Sequence, residues 1–255
     1  MLRLFETGDR EEGRIVANLR AVGVTVWDRD PETGRQIRFT ACDGHFALSL
    51  DGVGEGFPES KALHTLEFKT MSDKNFKDIS KNGLQKSKPI YWAQCQIGMH
   101  LAEIERCAFI AVNKNTDEIY MERVKLDKAD AMKLVAKAET IIFSEHPPAK
   151  LSADPSFFLC KFCDYKTVCH QGQPPEVNCR TCAHATPERG GDSVWSCAAG
   201  QAFGKVCDEH LFNPYGMPWE VHDAGSDFVE YQTEHGEIIR NQGNSEEIRN
   251  GWVPF

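Results

Sequence analysis

The stretch LHTLEFKT, residues 63–70, decides how this chain is read. Apolar and polar side chains alternate through its second half, and no Gly or Pro interrupts it, so it reads as a β-strand. Successive side chains of a strand point to opposite faces. Leu66 and Phe68 then face a core, while Glu67 and Lys69 stand side by side on the other face. An E-x-K triplet arises by chance about once in a chain of this length. A second one, Glu59-Ser60-Lys61, lies in a Pro/Gly loop where no strand aligns its charges. Taken alone, Glu67 and Lys69 are a solvated strand face, so their meaning depends on what surrounds them.

Upstream, HFALSLDGV (45–53) is a strand with Asp51 at its end, just before a Gly. If the two strands pair, Asp51 and Glu67 hold a divalent cation between hard oxygen ligands, with Mg²⁺ or Mn²⁺ as the fitting ions. Lys69 then stands beside the ion to stabilise developing phosphoryl charge. Asp43 is the competing acid, and His45 is a strand-face residue rather than a ligand. Further upstream, Ile15, Val16, Leu19 and Val22 recur at helical spacing within residues 9–22. At 100° per residue, Glu12 falls about 30° from the centre of that stripe and Glu11 about 70° away. A carboxylate aimed inward needs a partner or a metal. VGVTVW (22–27) is a short strand, DPETG (30–34) a turn, and RQIRFTA (35–41) the returning strand.

Downstream, Lys69 to Lys88 holds six lysines and two aspartates, together with Phe76, and reads either as a phosphate-tracking patch or as a solvated loop. Residues 90–105 form a helix carrying Gln94 and Gln96, amides that orient water or contact DNA, or sit at a core edge. CAFIAVN (107–113) and EIYMERV (118–124) are a strand pair, and 127–143 is an amphipathic helix.

Together these elements resemble the PD-(D/E)XK nucleases, closest to the phage recombination exonuclease and RecB-like branch. The likeness rests on Glu12 in ETGDREEGRIVANL, Asp51 in GHFALSLDG, Glu67 and Lys69 in LEFKT, and Gln94 in YWAQCQIGM, and spans residues 1–145. It implies an α/β fold with a restriction-endonuclease-like core, a central mixed sheet flanked by helices. It also implies that Asp51, Glu67 and the Phe68 carbonyl ligate Mg²⁺, that Glu12 supports the metal, that Lys69 assists hydrolysis and that Gln94 contacts substrate. GHFALSLDG departs from the family pattern, placing several residues between Gly-His and the Asp where relatives often have one.

The other singular feature is cysteine. Seven of the ten, Cys160, Cys163, Cys169, Cys179, Cys182, Cys197 and Cys207, fall within 48 residues, preceded by the Pro-containing stretch HPPAKLSADPS (146–156). The start of the chain does not read as a signal peptide, so a metal module rather than a disulfide framework is expected. A loop-rich segment with few aliphatics needs such a staple. Cys179, Cys182, Cys197 and Cys207 suit a closed tetrahedral Zn²⁺ site, with His210 able to replace one ligand. Cys160, Cys163 and Cys169 make a set of three thiols that His170 completes for Zn²⁺. They also resemble the cysteine triplet of iron–sulfur nucleases, which implies a 4Fe–4S cluster. In those relatives a fourth cysteine precedes the first acid. Here none does, so either the cluster is lost, another ligand substitutes, or the reading frame begins upstream of Met1.

Three segments follow: a nuclease core (1–150), a cysteine-rich metal module (151–212), and an acidic tail with a hairpin near His235-Gly236 (213–255). The module holds the chain's return path against the core or guides single-stranded DNA. Bulk charge is −9, which argues against a histone-like binder, yet the last 45 residues alone carry eight acids and two arginines. No apolar run approaches the ~18 residues of a membrane span. The expected function is a metal-dependent DNA nuclease, by preference an exonuclease of recombination or replication. It would act on DNA in the cytoplasm (the host's, for a phage protein), beside a single-strand annealing or recombination protein. A catalytically inactive zinc-stapled nucleic-acid adaptor is the alternative, and an iron–sulfur regulatory protein a third.

Overall fold

A computed structural model describes residues 2–204 and 207–242. The chain divides into two compact units, Met1–Glu139 and Thr140–Phe255. The first is mixed α/β. Helix α1 (Leu2–Ala21) leads into β1 (Thr25–Trp27), a hairpin of β2 (Arg38–Ala41) and β3 (Phe46–Ser49), then β4 (Gly52–Glu55) and β5 (His64–Met71). Helices α2 (Asp73–Asn82), α3 (Leu84–Ser87) and α4 (Pro89–Leu101) cross to β6 (Arg106–Asn113), followed by β7 (Ile119–Lys125) and α5 (Lys128–Phe143).

The main sheet has the order β1-β4-β5-β6-β7. Only β5 and β6 run parallel, which is why three helices lie between them: a parallel pair needs a long crossover. The expected strand pair 107–124 is the β6–β7 hairpin. Both faces of the sheet are covered. Leu66, Phe68, Ala108 and Ile110 pack with Ile15 and Val16 of α1. Cys107, Phe109 and Ala111 pack with Phe76 and Ile79 of α2 and with Cys95 and Met99 of α4. Strand β5 is therefore central, and its Glu67 face is not solvated.

Several readings change. RQIRFTA does not return onto β1; β2 pairs with β3 in a separate two-stranded hairpin, and β1 pairs with β4. HFALSLDGV is not one strand, because the chain leaves the hairpin after Ser49 and enters the main sheet at Gly52. The Gly-rich β4 hides from propensity, yet its glycines are packing devices. A Cβ on Gly52 would stand 2.9 Å from the Trp27 carbonyl oxygen, and one on Gly54 3.1 Å from the Phe57 ring. Val22 leaves the apolar stripe: α1 stops at Ala21 and Val22 is 70% exposed. The lysine-rich stretch is helical, and Phe76 is a core residue rather than an exposed aromatic. Helix α4 ends four residues before the expected 105. Ile104 N–H donates to Met99 O and Glu103 N–H to His100 O, with Glu103 at φ 55°, a Schellman close built without glycine.

The second unit is loop-rich. Two short helices, α6 (Phe158–Lys161) and α7 (Lys166–His170), precede a 3₁₀ turn at Cys179–Thr181 and the ribbon of β8 (Ala185–Pro187) and β9 (Trp195–Cys197). A three-stranded antiparallel sheet follows, β10 (Glu220–Ala224), β11 (Phe228–Gln232) and β12 (Ile238–Gln242). The β11–β12 turn holds the expected hairpin at His235-Gly236. Asn241 of β12 accepts from Phe212 N–H and Tyr231 of β11 donates to Phe212 O, so the cysteine-rich segment and the sheet form one unit. The end of the acidic tail, 243–255, lies outside the described residues. None of the described helices is long and apolar enough to cross a membrane.

Candidate functional site

The site forms where β4 joins β5. Their register pairs Gly52 with Leu66, so Asp51 stands one step beyond, opposite Glu67. The Phe68 N–H donates to Asp51 Oδ2 at 2.6 Å. In a strand, a residue's N–H and C=O point to the same side. The Phe68 carbonyl therefore faces the edge where β4 ends, beside Asp51. Asp43 lies in the turn at the other end of the β2–β3 hairpin, with φ 55°. The fold thus brings Asp51, not Asp43, to Glu67.

Glu67 is 2% exposed. Lys69, two residues on and on the same face, closes an ion pair with Glu67 Oε1. That oxygen has no well-angled hydrogen bond from the protein. Burial pushes the Glu67 carboxyl up to about 7, opposed by the Lys69 charge and reinforced by Asp51 and Glu12. Burial also raises Asp51, against the Phe68 N–H and Lys69. It raises Glu12 as well, with Asp51 and Asp9 adding to it, so Glu12 of α1 is electrostatically part of the same cluster. Burial works against the Lys69 ammonium, yet Glu67 and Asp51 more than offset it and hold its pKa above the ordinary value.

Helix α4 supplies the opposite wall. Tyr91 sets its ring 5.4 Å from Lys69 Nζ and stacks near Phe109. Sequence patterning did not single out Tyr91; its signal is the one-turn spacing to Cys95, which faces the same core. The Cys95 thiol is driven far up by the neighbouring Cys107 thiol and by burial, so it is an inert core group. Gln94 is half-buried and lies one turn before Gly98, where a Cβ would meet Leu50 at 3.0 Å. It therefore lies on the side of α4 that faces the Leu50–Asp51 corner. Gln96 has a different duty. It is fully buried, donating to Lys125 O and accepting from Asp127 N–H, and so bolts α4 to the end of β7.

With three carboxylates ionised and Lys69 charged, the four groups sum to −2. A divalent cation cancels that charge, and the donors are hard oxygens, so the residues fit Mg²⁺ or Mn²⁺. Among the described residues, no group of His, Cys, Asp or Glu side chains is already arranged as a metal cage.

In the second unit, Cys160 is buried on α6, Cys163 is exposed, and Cys169 is half-buried on α7 beside His170. Cys179, Cys182, Cys197, Cys207 and His210 line a single cavity together with His184.

No family model matches the chain, and no curated protein matches it. Among solved structures, the crystal structure of SSO0001 is similar over 65% of this chain and 69% of that one, at 14% identity and a TM-score of 0.37. That likeness is too distant to assign a fold or a function.

Proposed function

We propose that the chain is a divalent-metal-dependent DNA nuclease with a restriction-endonuclease-like core, hydrolysing phosphodiester bonds at the Asp51–Glu67–Lys69 cluster. One observation carries the reading: the buried Glu67 carboxylate, raised to about 7, faces Asp51 across the β4–β5 join with Lys69 beside it. Burying two acids and a lysine in a small core is unfavourable unless the site does something with the charge.

In this reading Asp51, Glu67 and the Phe68 carbonyl hold the ion, and Glu12 lends further negative charge from α1. A bound Mg²⁺ or Mn²⁺ supplies Lewis-acid polarisation of a phosphoryl oxygen and activation of water. Lys69 is placed to donate to the oxygen on which charge develops, held in position by Glu67 and by the Tyr91 ring. Gln94 orients substrate from α4. The exposed Lys74, Lys81 and Lys86 of α2–α3 offer phosphate contacts on a chain that is acidic overall.

The test is degradation of linear DNA in Mg²⁺ by wild type and Lys69→Ala, with bound metal measured in both. Loss of cleavage with metal retained supports the reading. Wild-type cleavage by Lys69→Ala removes it. DNA binding without cleavage by the wild type in either Mg²⁺ or Mn²⁺ favours the inactive adaptor.

A further inference from the structure

The cavity of the second unit carries a separate assignment, independent of the nuclease reading. Spacing alone leaves five donors for one ion: Cys179, Cys182, Cys197, Cys207 and His210. The arrangement around His210 distinguishes them. His210 is 8% exposed, and its Nδ1 has no hydrogen-bond partner. Its other nitrogen, Nε2, lies 3.4 Å from Thr181 Oγ1. That hydroxyl has one proton, which is directed to the Glu176 carbonyl at 2.7 Å or the Asn178 carbonyl at 2.9 Å. Towards His210 it can only accept. Nε2 therefore carries the imidazole proton, and Nδ1 holds a lone pair.

A buried lone pair with no donor facing it is costly, unless a cation takes it. The wall around it is sulfur. The Cys179–Cys182 knuckle, Cys197 at the end of β9, and Cys207 three residues before His210 all line the same cavity. Its volume of about 20 Å³ suits a single ion or water. Gly204 N–H points at Cys179 Sγ at 3.3 Å, a donor set for a thiolate.

We propose that this cavity is a zinc site ligated by His210 Nδ1 and three thiolates, the Cys179–Cys182 pair among them. Thr181 fixes the histidine tautomer from behind, as the carbonyls and carboxylates behind other metal-bound histidines do. The fourth thiol stays outside the coordination sphere, because structural zinc takes four ligands. Three threads meet at the cavity. The 3₁₀ turn carries Cys179 and Cys182, the ribbon carries Cys197, and the segment of His210 runs on to Phe212, which Asn241 and Tyr231 tie to the three-stranded sheet. Ala183 N–H to Leu211 O and Asn213 N–H to Thr181 O already zip the first and third threads together.

The experiment uses the full chain carrying Cys160→Ser, Cys163→Ser and Cys169→Ser, so that only this cavity reports. Zinc is counted by elemental analysis, and its first shell is read by X-ray absorption at the zinc edge. The expected result is one zinc per chain, with three sulfurs at about 2.3 Å and one nitrogen at about 2.0 Å. A shell of four sulfurs, iron in place of zinc, or no stoichiometric metal overturns the assignment. A paired measurement uses competition with a chromophoric chelator. His210→Ala is expected to weaken zinc binding at least tenfold, and His184→Ala, on the same cavity wall, to leave it unchanged. Equal effects of the two, or none from His210→Ala, contradict the proposal. If His210→Ala does not fold, the absorption spectrum of the parent still decides it.

Discussion

Glu67→Gln should gain stability relative to wild type as pH rises from 5 to 8, while abolishing activity. The buried carboxyl is raised from 4.5 to about 7 in the folded chain. Between those values the folded state holds a proton that the unfolded state has released, so stability falls as pH rises through that window and levels off above about 7. At 1.36 kcal/mol for each pH unit, the loss is on the order of 3 kcal/mol. The glutamine does not titrate and avoids it. Lys69 loses its charged partner in the variant but keeps Asp51, whose charge also holds the ammonium up against burial. The difference between variant and wild type, not its absolute level, is therefore the readout. It should swing by about 2–3 kcal/mol in favour of the variant between pH 5 and 8. Hydrogen exchange of the β5 and β6 amides in the full chain gives the opening free energy of this unit alone. Metal-stripped buffer should replace chelators, which would attack the thiol-rich unit. Parallel profiles for the two proteins from pH 5 to 8 would show that Glu67 does not titrate there and would refute the electrostatic account of the site.

Other perturbations follow from the same geometry. Magnesium affinity of the wild type should rise about tenfold per pH unit below pH 7 and flatten above it, read by isothermal titration, because the ion competes with the Glu67 proton. Gly52→Ala drives a Cβ to within 2.9 Å of the Trp27 carbonyl and should destabilise the first unit by about 1–3 kcal/mol. It should also lower cleavage, by displacing the adjoining Asp51; an unchanged denaturation midpoint would show that β1 yields freely. Gln96→Leu strands the Asp127 N–H and the Lys125 carbonyl, and urea denaturation should report a loss of about 1–3 kcal/mol.

The strand LHTLEFKT was legible because its neighbours in sequence are its evidence: alternation set its parity, and a nearby acid before a glycine set its partner. The same rule overreached on solvation. Alternation distinguishes two faces but does not say that one is wet, and α2 and α4, packed on the same face as Glu67, bury it. Strand β4 was obscured because two glycines lower its propensity while serving close packing against Trp27 and Phe57. The end of α4 is hidden in sequence because Glu103, rather than a glycine, takes the left-handed position. Helix α2 is hard to see in sequence because its two core contacts, Phe76 and Ile79, are few among lysines. Gln94 and Gln96 look alike in sequence, and only the tertiary partners of Gln96 separate them. In the second unit, spacing names five candidate donors that line one cavity, but it cannot show what surrounds His210, whose Nε2 lies beside a hydroxyl 29 residues away.

The central claim is that the Asp51–Glu67–Lys69 cluster is a metal centre for phosphodiester hydrolysis. The most direct measurement is cleavage of end-labelled linear DNA by purified wild type and Asp51→Asn, side by side, with and without Mg²⁺. The account predicts cleavage only with the ion, and a fall of at least 100-fold in the variant while it remains folded and still binds DNA. Cleavage by Asp51→Asn at the wild-type rate, or cleavage by the wild type that is indifferent to divalent ions, would contradict it.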